Sequence, residues 1–229
     1  MYDPDAVYFE DRQDAGRRLA ARLEDYRGKD AVVLALPRGG VVVGYEIARH
    51  LSRRLDVIIT RKIGAPGNPE YAIGAVAENG EVVVNQPEIQ MLGISRLYLE
   101  AEIAHQKEEI ERRIQLYRGG QRLPPLKGKT AILVDDGIAT GYTMLAAAKA
   151  ARAEAPAEVV VAVPVAAPGS LTALKPLVSS LVYLAAPSPF WAVGVFYRNF
   201  EQISDQEVKR LLDEARRAEG SEGEQPGAG

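Results

Sequence analysis

Residues Ile132–Thr143 read Ile-Leu-Val-Asp-Asp-Gly-Ile-Ala-Thr-Gly-Tyr-Thr. Two adjacent carboxylates, Asp135 and Asp136, follow directly on an apolar run. A short loop of small and hydroxylated residues then leads into a helix-forming run, Met144–Arg152. An apolar strand delivers such acids to its carboxyl end, the edge at which open α/β sheets bind ligands. The loop wraps the first turn of the helix, where uncommitted backbone N–H groups and the helix dipole favour an anion. Carboxylates that accept from sugar hydroxyls thus lie beside donors to a phosphate, which is the chemistry of a phosphorylated-sugar site. A plain Asp-Asp-Gly turn would not need Thr-Gly-x-Thr after it.

Two more segments offer charge to an anion. Pro37-Arg38-Gly39-Gly40 interrupts an apolar run just before a helix; its glycines let backbone approach an anion closely, and Arg38 adds a cation. Arg61-Lys62 closes the next apolar run and opens onto Ile63–Glu70, read as a turn-rich loop with Gly64, Pro66, Gly67, Asn68 and Pro69 and no packing signal.

The elements that must hold these residues follow from hydrophobic periodicity. Ala31–Leu36, Leu55–Thr60, Thr130–Val134, Glu158–Val163 and Ser180–Leu184 are short continuous apolar runs, as in buried parallel strands. Helices are expected at Asp14–Tyr26, about Val41–Leu51, Ser95–Tyr117, Tyr142–Ala155, about Ser170–Leu177 and Ser204–Ala218, the last with Ser204 as N-cap and Glu207 at the capping-box position. Ala72–Glu78 and Glu81–Asn85, around Asn79-Gly80, read as a hairpin. Strands alternating with helices predict an α/β fold: a doubly wound, mainly parallel five-stranded sheet with right-handed crossovers. An aromatic cluster, Phe190, Trp191, Phe196, Tyr197 and Phe200, follows the last strand.

The motif Val-Asp-Asp-Gly-Ile-Ala-Thr-Gly-Tyr-Thr resembles the binding loop for 5-phosphoribosyl-1-pyrophosphate (PRPP) in type I phosphoribosyltransferases. The resemblance implies that Asp135 and Asp136 bind the ribose hydroxyls while Ala139, Thr140, Gly141, Tyr142 and Thr143 cradle the 5′-phosphate. It makes Arg38, Gly39 and Gly40 the pyrophosphate loop, with a non-proline cis peptide expected at Arg38–Gly39. It also makes Arg61 and Lys62, with Gly64–Tyr71, the start of a flexible catalytic loop that closes to exclude water. Lys62, Arg38, Asp135 and Asp136 are the implied catalytic residues, and Mg²⁺ the implied cofactor, held by PRPP and water within reach of Asp135 and Asp136 rather than by a protein cage. A small hood, from about residues 1–12 and 187–203, would stack a nucleobase-like acceptor on Phe190 and Trp191, with Tyr8, Phe9 and Arg12 nearby. One domain over 1–219 is expected, its core at about 28–186, with 220–229 a mobile tail. One position departs from part of the family: six-oxopurine members commonly carry Asp immediately before Thr-Gly, where this chain has Ala139.

Composition narrows the alternatives. The 229 residues are 47% hydrophobic and 26% charged, with net charge −3, ordinary for a globular protein and without the basic excess of a nucleic-acid surface. No cysteine is present, which excludes disulfides, thiolate metal sites and a thiol nucleophile. The two histidines, His50 and His105, fall on predicted helices outside any constellation. No apolar run reaches membrane-spanning length, and the start, Met1-Tyr-Asp-Pro-Asp, lacks the basic and apolar regions of a secretory signal. A cytoplasmic homodimer without nucleic-acid or membrane partners is the expectation. A PRPP-sensing regulator and a phosphosugar hydrolase on the same scaffold are the competing functions.

Overall fold

The computed structural model of the chain describes residues 9–222. Its centre is a parallel sheet of five strands, β1 (Ala31–Ala35), β2 (Arg54–Val57), β6 (Thr130–Val134), β7 (Glu158–Val165) and β8 (Ser180–Ala185), in the order β2-β1-β6-β7-β8. Because strand side chains alternate between faces, each strand feeds two cores. Val33, Ala35, Ile132, Val134, Val160 and Ala162 face α1 (Arg12–Ala20), α2 (Gly39–Leu51) and α7 (Asp205–Glu222). Val32, Leu34, Ala131, Leu133, Val161 and Val163 face α5 (Tyr142–Ala153) and α6 (Pro168–Leu174). This is the doubly wound architecture expected from the alternation of runs.

A second, antiparallel sheet of β3 (Thr60–Ala65), β4 (Asn68–Ala77) and β5 (Val82–Val84) lies on the outer side of α5. That helix is therefore covered on two sides, and its buried residues are mostly alanines: Ala146, Ala147, Ala148, Ala150 and Ala151. A helix apolar nearly all round is a buried helix, and small side chains let two sheets approach it. The other face of the small sheet, with Ile63 and Ile73, packs with Ile89 of α3 (Gln86–Met91) and with Leu99 and Ile103 of α4 (Arg96–Arg118).

Three sequence expectations change here. The run Leu55–Thr60 is divided, with β2 ending at Val57 in the parallel sheet and Thr60 opening β3 in the other. The segment expected to be a loop, Ile63–Glu70, is instead most of a hairpin that pairs Ala65 with Asn68 across Pro66-Gly67. Pro followed by a positive-φ glycine (Gly67, φ 73°) is a turn signal; the glycines and prolines that looked like a loop are the tip and bulge of a strand pair. The expected non-proline cis peptide is present one bond earlier, at Pro37–Arg38. Arg38 already has helical dihedrals as N-cap of α2, so the turn is complete before Gly39. The hairpin around Asn79-Gly80 forms as β4–β5, and α3 was not anticipated.

At its far end the chain closes on its beginning. Phe9 N–H donates to Phe196 O at 2.9 Å and Arg198 N–H to Phe9 O at 2.9 Å; Phe9, fully buried, packs on Tyr197 at 5.2 Å between ring centroids. Ser204 caps α7 by accepting from Glu207 N–H at 3.1 Å, while the Glu207 carboxylate pairs with Arg210 instead of reaching back. Tyr8 and residues 223–229 of the expected tail lie outside the described residues, and α7 continues through 220–222. Among the described residues no helix is long and apolar enough to cross a membrane.

Candidate functional site

The chain moves from β1 outward to β2 but places β6 on the other side of β1, so the strand order reverses between β1 and β6. Open α/β sheets bind ligands in the crevice at such a reversal. The Pro37–Gly40 turn leaves β1 there and Asp135–Asp136 leaves β6. The two turns are in contact: a Cβ on Gly39 would lie 1.8 Å from Asp136 Oδ2, and one on Gly40 2.8 Å from Val134 O and 2.9 Å from Asp135 Cα. Two glycines are needed because backbone must pass where any side chain would overlap the carboxylate pair.

The carboxylates are held from several directions. Asp135 Oδ1 accepts from Asp136 N–H at 2.8 Å. Asp136 Oδ2 accepts from Arg12 Nε at 2.7 Å, and Arg12 also donates to Glu201 O at 2.8 Å. The Arg12 guanidinium lies 3.8 Å from the Phe200 ring centroid, and Tyr197 OH donates to Asp136 O at 2.6 Å. Burial first, and then the charge of Asp136, push the Asp135 carboxyl well above the usual aspartate range. Burial and the nearby Asp136 likewise push the Tyr197 phenol up.

Beyond Asp136 the chain forms a small cleft of about 200 Å³ lined by Gly137–Thr143, Lys62, Ala72 and Val193. Gly141 is the N-cap of α5 at φ 80°, ψ −5° and supplies no side-chain cap, leaving the first N–H groups of α5 without one. A Cβ on Gly141 would also approach Ser170 Cβ to 3.0 Å; Ser170 OH donates to Ala139 O and anchors the turn from α6. Thr140 and Ala139 are exposed.

Arg61 and Lys62, adjacent on β3, go to opposite sides. Lys62 lines the Thr140–Thr143 cleft and pairs with Glu70 of β4. Arg61 turns to α4, donates to Gln106 Oε1 at 2.9 Å, and has Arg113, Arg112 and Arg38 as cationic neighbours. Burial, followed by Arg113, lowers its pKa. Arg38 NH1 lies 3.8 Å from Asp205 Oδ1. The structure thus brings Gly39, Gly40, Asp135 and Asp136 together, places Lys62 by the Thr140–Thr143 turn, and sets Arg61 and Arg38 in a separate basic group. Phe190 packs on Phe196 at 5.2 Å between ring centroids, while Trp191 is 82% exposed; Phe196 and Tyr197 are buried in a small cluster with Phe9, Ala15 and Val165. Asp135 and Asp136 offer hard carboxylate oxygens at the crevice, a donor pair that suits an ion taking its other ligands from phosphate and water.

The sequence motif did not reveal Arg12 as the partner of Asp136, Ser170 as the anchor of Ala139, or Asn85 as the partner of Tyr142. Each lies on another element, and pairs separated by 124, 31 and 57 positions leave no local spacing signal.

A family model for the phosphoribosyl transferase domain matches residues 9–195. The chain is 44% identical over 209 residues to the Mycobacterium tuberculosis H37Rv protein named "Putative phosphoribosyl transferase Rv0571c", covering 91% of this chain and 47% of that one. It therefore spans about half the length of the curated relatives it matches. The crystal structure of TT1426 from Thermus thermophilus superposes with a TM-score of 0.74 at 44% identity, covering 90% of this chain and 98% of that one.

Proposed function

Since the chain belongs to the phosphoribosyl transferase domain family, we propose that it moves ribose 5-phosphate from PRPP to a nitrogenous base and releases pyrophosphate. The observation that carries the reading is the contact of the Gly39–Gly40 turn with Asp135–Asp136 at the sheet's reversal point, with an uncapped helix start one turn away. That arrangement suits a sugar with an anion at each end.

In this reading Thr140–Thr143, with Ala139, hold the 5′-phosphate through backbone N–H groups and hydroxyls. Asp135 and Asp136 accept from the ribose hydroxyls, and Arg12 and the Tyr197 hydroxyl keep Asp136 in place for it. Arg38, Gly39 and Gly40 face the pyrophosphate. Arg61 adds positive charge as negative charge builds on the leaving group, while Lys62, which lines the Thr140–Thr143 cleft, meets the 5′-phosphate. The bond from the anomeric carbon to the pyrophosphate oxygen breaks, with its electron pair leaving on that oxygen. A ring nitrogen of the acceptor forms the new bond, and the proton it carried passes to the departing pyrophosphate or to water. Bound Mg²⁺ would neutralise phosphate charge, with Asp135 and Asp136 holding it through water. No protein nucleophile is needed, in keeping with a chain that has no cysteine; orientation and charge do the work.

Phe190 and the exposed Trp191 are the residues offered to the flat face of the acceptor. Ala139 leaves the position before Thr140-Gly141 without a carboxylate, which weighs against a six-oxopurine acceptor. A homodimer is proposed as the assembly. The test is pyrophosphate release from Mg²⁺–PRPP across a panel of nucleobases: acceleration by one class of base supports transfer. Binding of PRPP without turnover on any base would identify a PRPP-sensing protein, and release without an acceptor a hydrolase.

A further inference from the structure

The hydrogen bonds around Tyr142 are not required by the motif, which accepts any residue between Gly141 and Thr143. Tyr142 is the first residue of α5, and its phenol oxygen accepts from Asn85 Nδ2 at 2.9 Å. The same amide nitrogen donates to Glu88 Oε2 at 2.7 Å, and Asn85 Oδ1 accepts from Glu88 N–H as the N-cap of α3. Asn85 N–H is in turn fixed to Ile73 O of β4 at 2.8 Å. The second oxygen of Glu88 accepts from Tyr71 OH. Asn85 therefore commits both amide hydrogens, its carbonyl and its backbone N–H. A chain of four side chains runs from the start of α5 to Tyr71, the neighbour of Glu70, whose carboxylate holds Lys62.

Among the described residues, two side-chain hydrogen bonds hold the Ala139–Thr143 turn from outside. Ser170 fixes Ala139 from the α6 side, and Asn85 fixes Tyr142 from the side of the small sheet. The turn needs such anchors because Gly141 is conformationally free and has no side-chain cap of its own. A binding constellation keeps its geometry only when the residues supporting it are themselves fixed by hydrogen bonds and packing. Only the Asn85 anchor also leads to the hairpin bearing Lys62.

We propose that Asn85 is a positioning residue of the site, which through Tyr142 sets the Thr140–Thr143 turn against the β3–β4 hairpin so that the turn and Lys62 meet one bound sugar phosphate. The proposal rests on Thr140–Thr143 being the phosphate turn. Lys62 then approaches the ligand only when the chain from Tyr142 to Tyr71 is intact, and Glu70 is the partner it gives up on binding.

The experiment measures ribose 5-phosphate affinity by calorimetry for the full chain, Asn85→Ala, Tyr142→Phe and the double variant, with melting temperature as the check on folding. In parallel, labelling of Lys62 by an amine-acylating reagent is followed by mass spectrometry with and without the sugar phosphate. Each single variant is expected to weaken binding about threefold to tenfold, the range for loss of one hydrogen bond. The double variant should be no weaker than the worse single one, because both remove the same contact. Ligand protection of Lys62 should be reduced in all three, an effect that simple loss of stability would not produce. Unchanged affinities, multiplicative losses, or full protection of Lys62 in the variants would each overturn the proposal while leaving the phosphate turn standing. Absence of ribose 5-phosphate binding by the unaltered chain would instead overturn the phosphate-turn reading, and this proposal with it. Should Asn85→Ala fail to fold, Tyr142→Phe, which removes one hydroxyl, decides by its affinity and its Lys62 protection.

Discussion

At the scale of single residues the site is built by close approach and by charge that the fold does not fully relieve. Gly39 stands where a methyl group would overlap Asp136 Oδ2 and approach Arg12 Nε to 2.8 Å. Gly39→Ala is therefore expected to cost on the order of 1–3 kcal/mol of stability through overpacking and to abolish PRPP binding, as measured by thermal unfolding and calorimetry. Asp135 is a case of stability given up for function. Its pKa is raised in the folded state by burial and by Asp136, so the folded chain holds the proton more tightly than the unfolded one. Its contribution is present below the ordinary aspartate pKa and is lost as pH rises through the raised value. Asp135→Asn should thus melt higher than the unaltered protein at neutral pH, with the gain shrinking as pH falls from the raised value towards about 4, the usual aspartate value, and absent below it. Combined with Asp136→Asn it should lose PRPP affinity at every pH; unchanged affinity would remove both residues from the site.

At the scale of elements the β3–β4 hairpin is the part most open to test. The register shifts on either side of Gly64, and a Cβ there would meet the Pro69 backbone at 2.6 Å. Gly64→Ala should loosen the pairing of β3 with β4, seen as faster amide exchange in both strands, and lower turnover more than it lowers melting temperature. Alternation along β3 separates two cations that are adjacent in sequence: Lys62 reaches the α5 turn and Arg61 reaches α4. Lys62→Ala should then weaken ribose 5-phosphate binding more than Arg61→Gln does, by calorimetry. The composition of this segment showed its turn but not its pairing, because proline and glycine mark a hairpin tip as readily as a loop. Which one forms depends on the strand across from it.

At the scale of the whole molecule, two apolar layers and a helix packed between two sheets hold the crevice open at one edge. Leu34, fully buried in β1, an interior strand of the parallel sheet, faces that helix layer. Leu34→Ala should lower stability by about 2–5 kcal/mol through the cavity it leaves, measured by denaturant unfolding, without altering the polar groups of the site. The partial coverage of longer relatives belongs to this scale too. Transfer measured on these 229 residues alone would show that the domain suffices for the chemistry.

The parallel sheet, its flanking helices and the residues of the Asp135–Thr143 turn were legible in the sequence because each depends on local order: apolar runs, capping residues and a contiguous motif. Arg12 beneath Asp136, Ser170 behind Ala139, Asn85 on Tyr142 and the parting of Arg61 from Lys62 were decided only by tertiary structure. Those contacts join elements far apart along the chain, whose meeting depends on strand order, crossover and register. The sequence by itself determined which chemical groups reach the sheet edge. Packing determined which of them face one another, since a side chain's neighbours across a crevice are set by how the layers close.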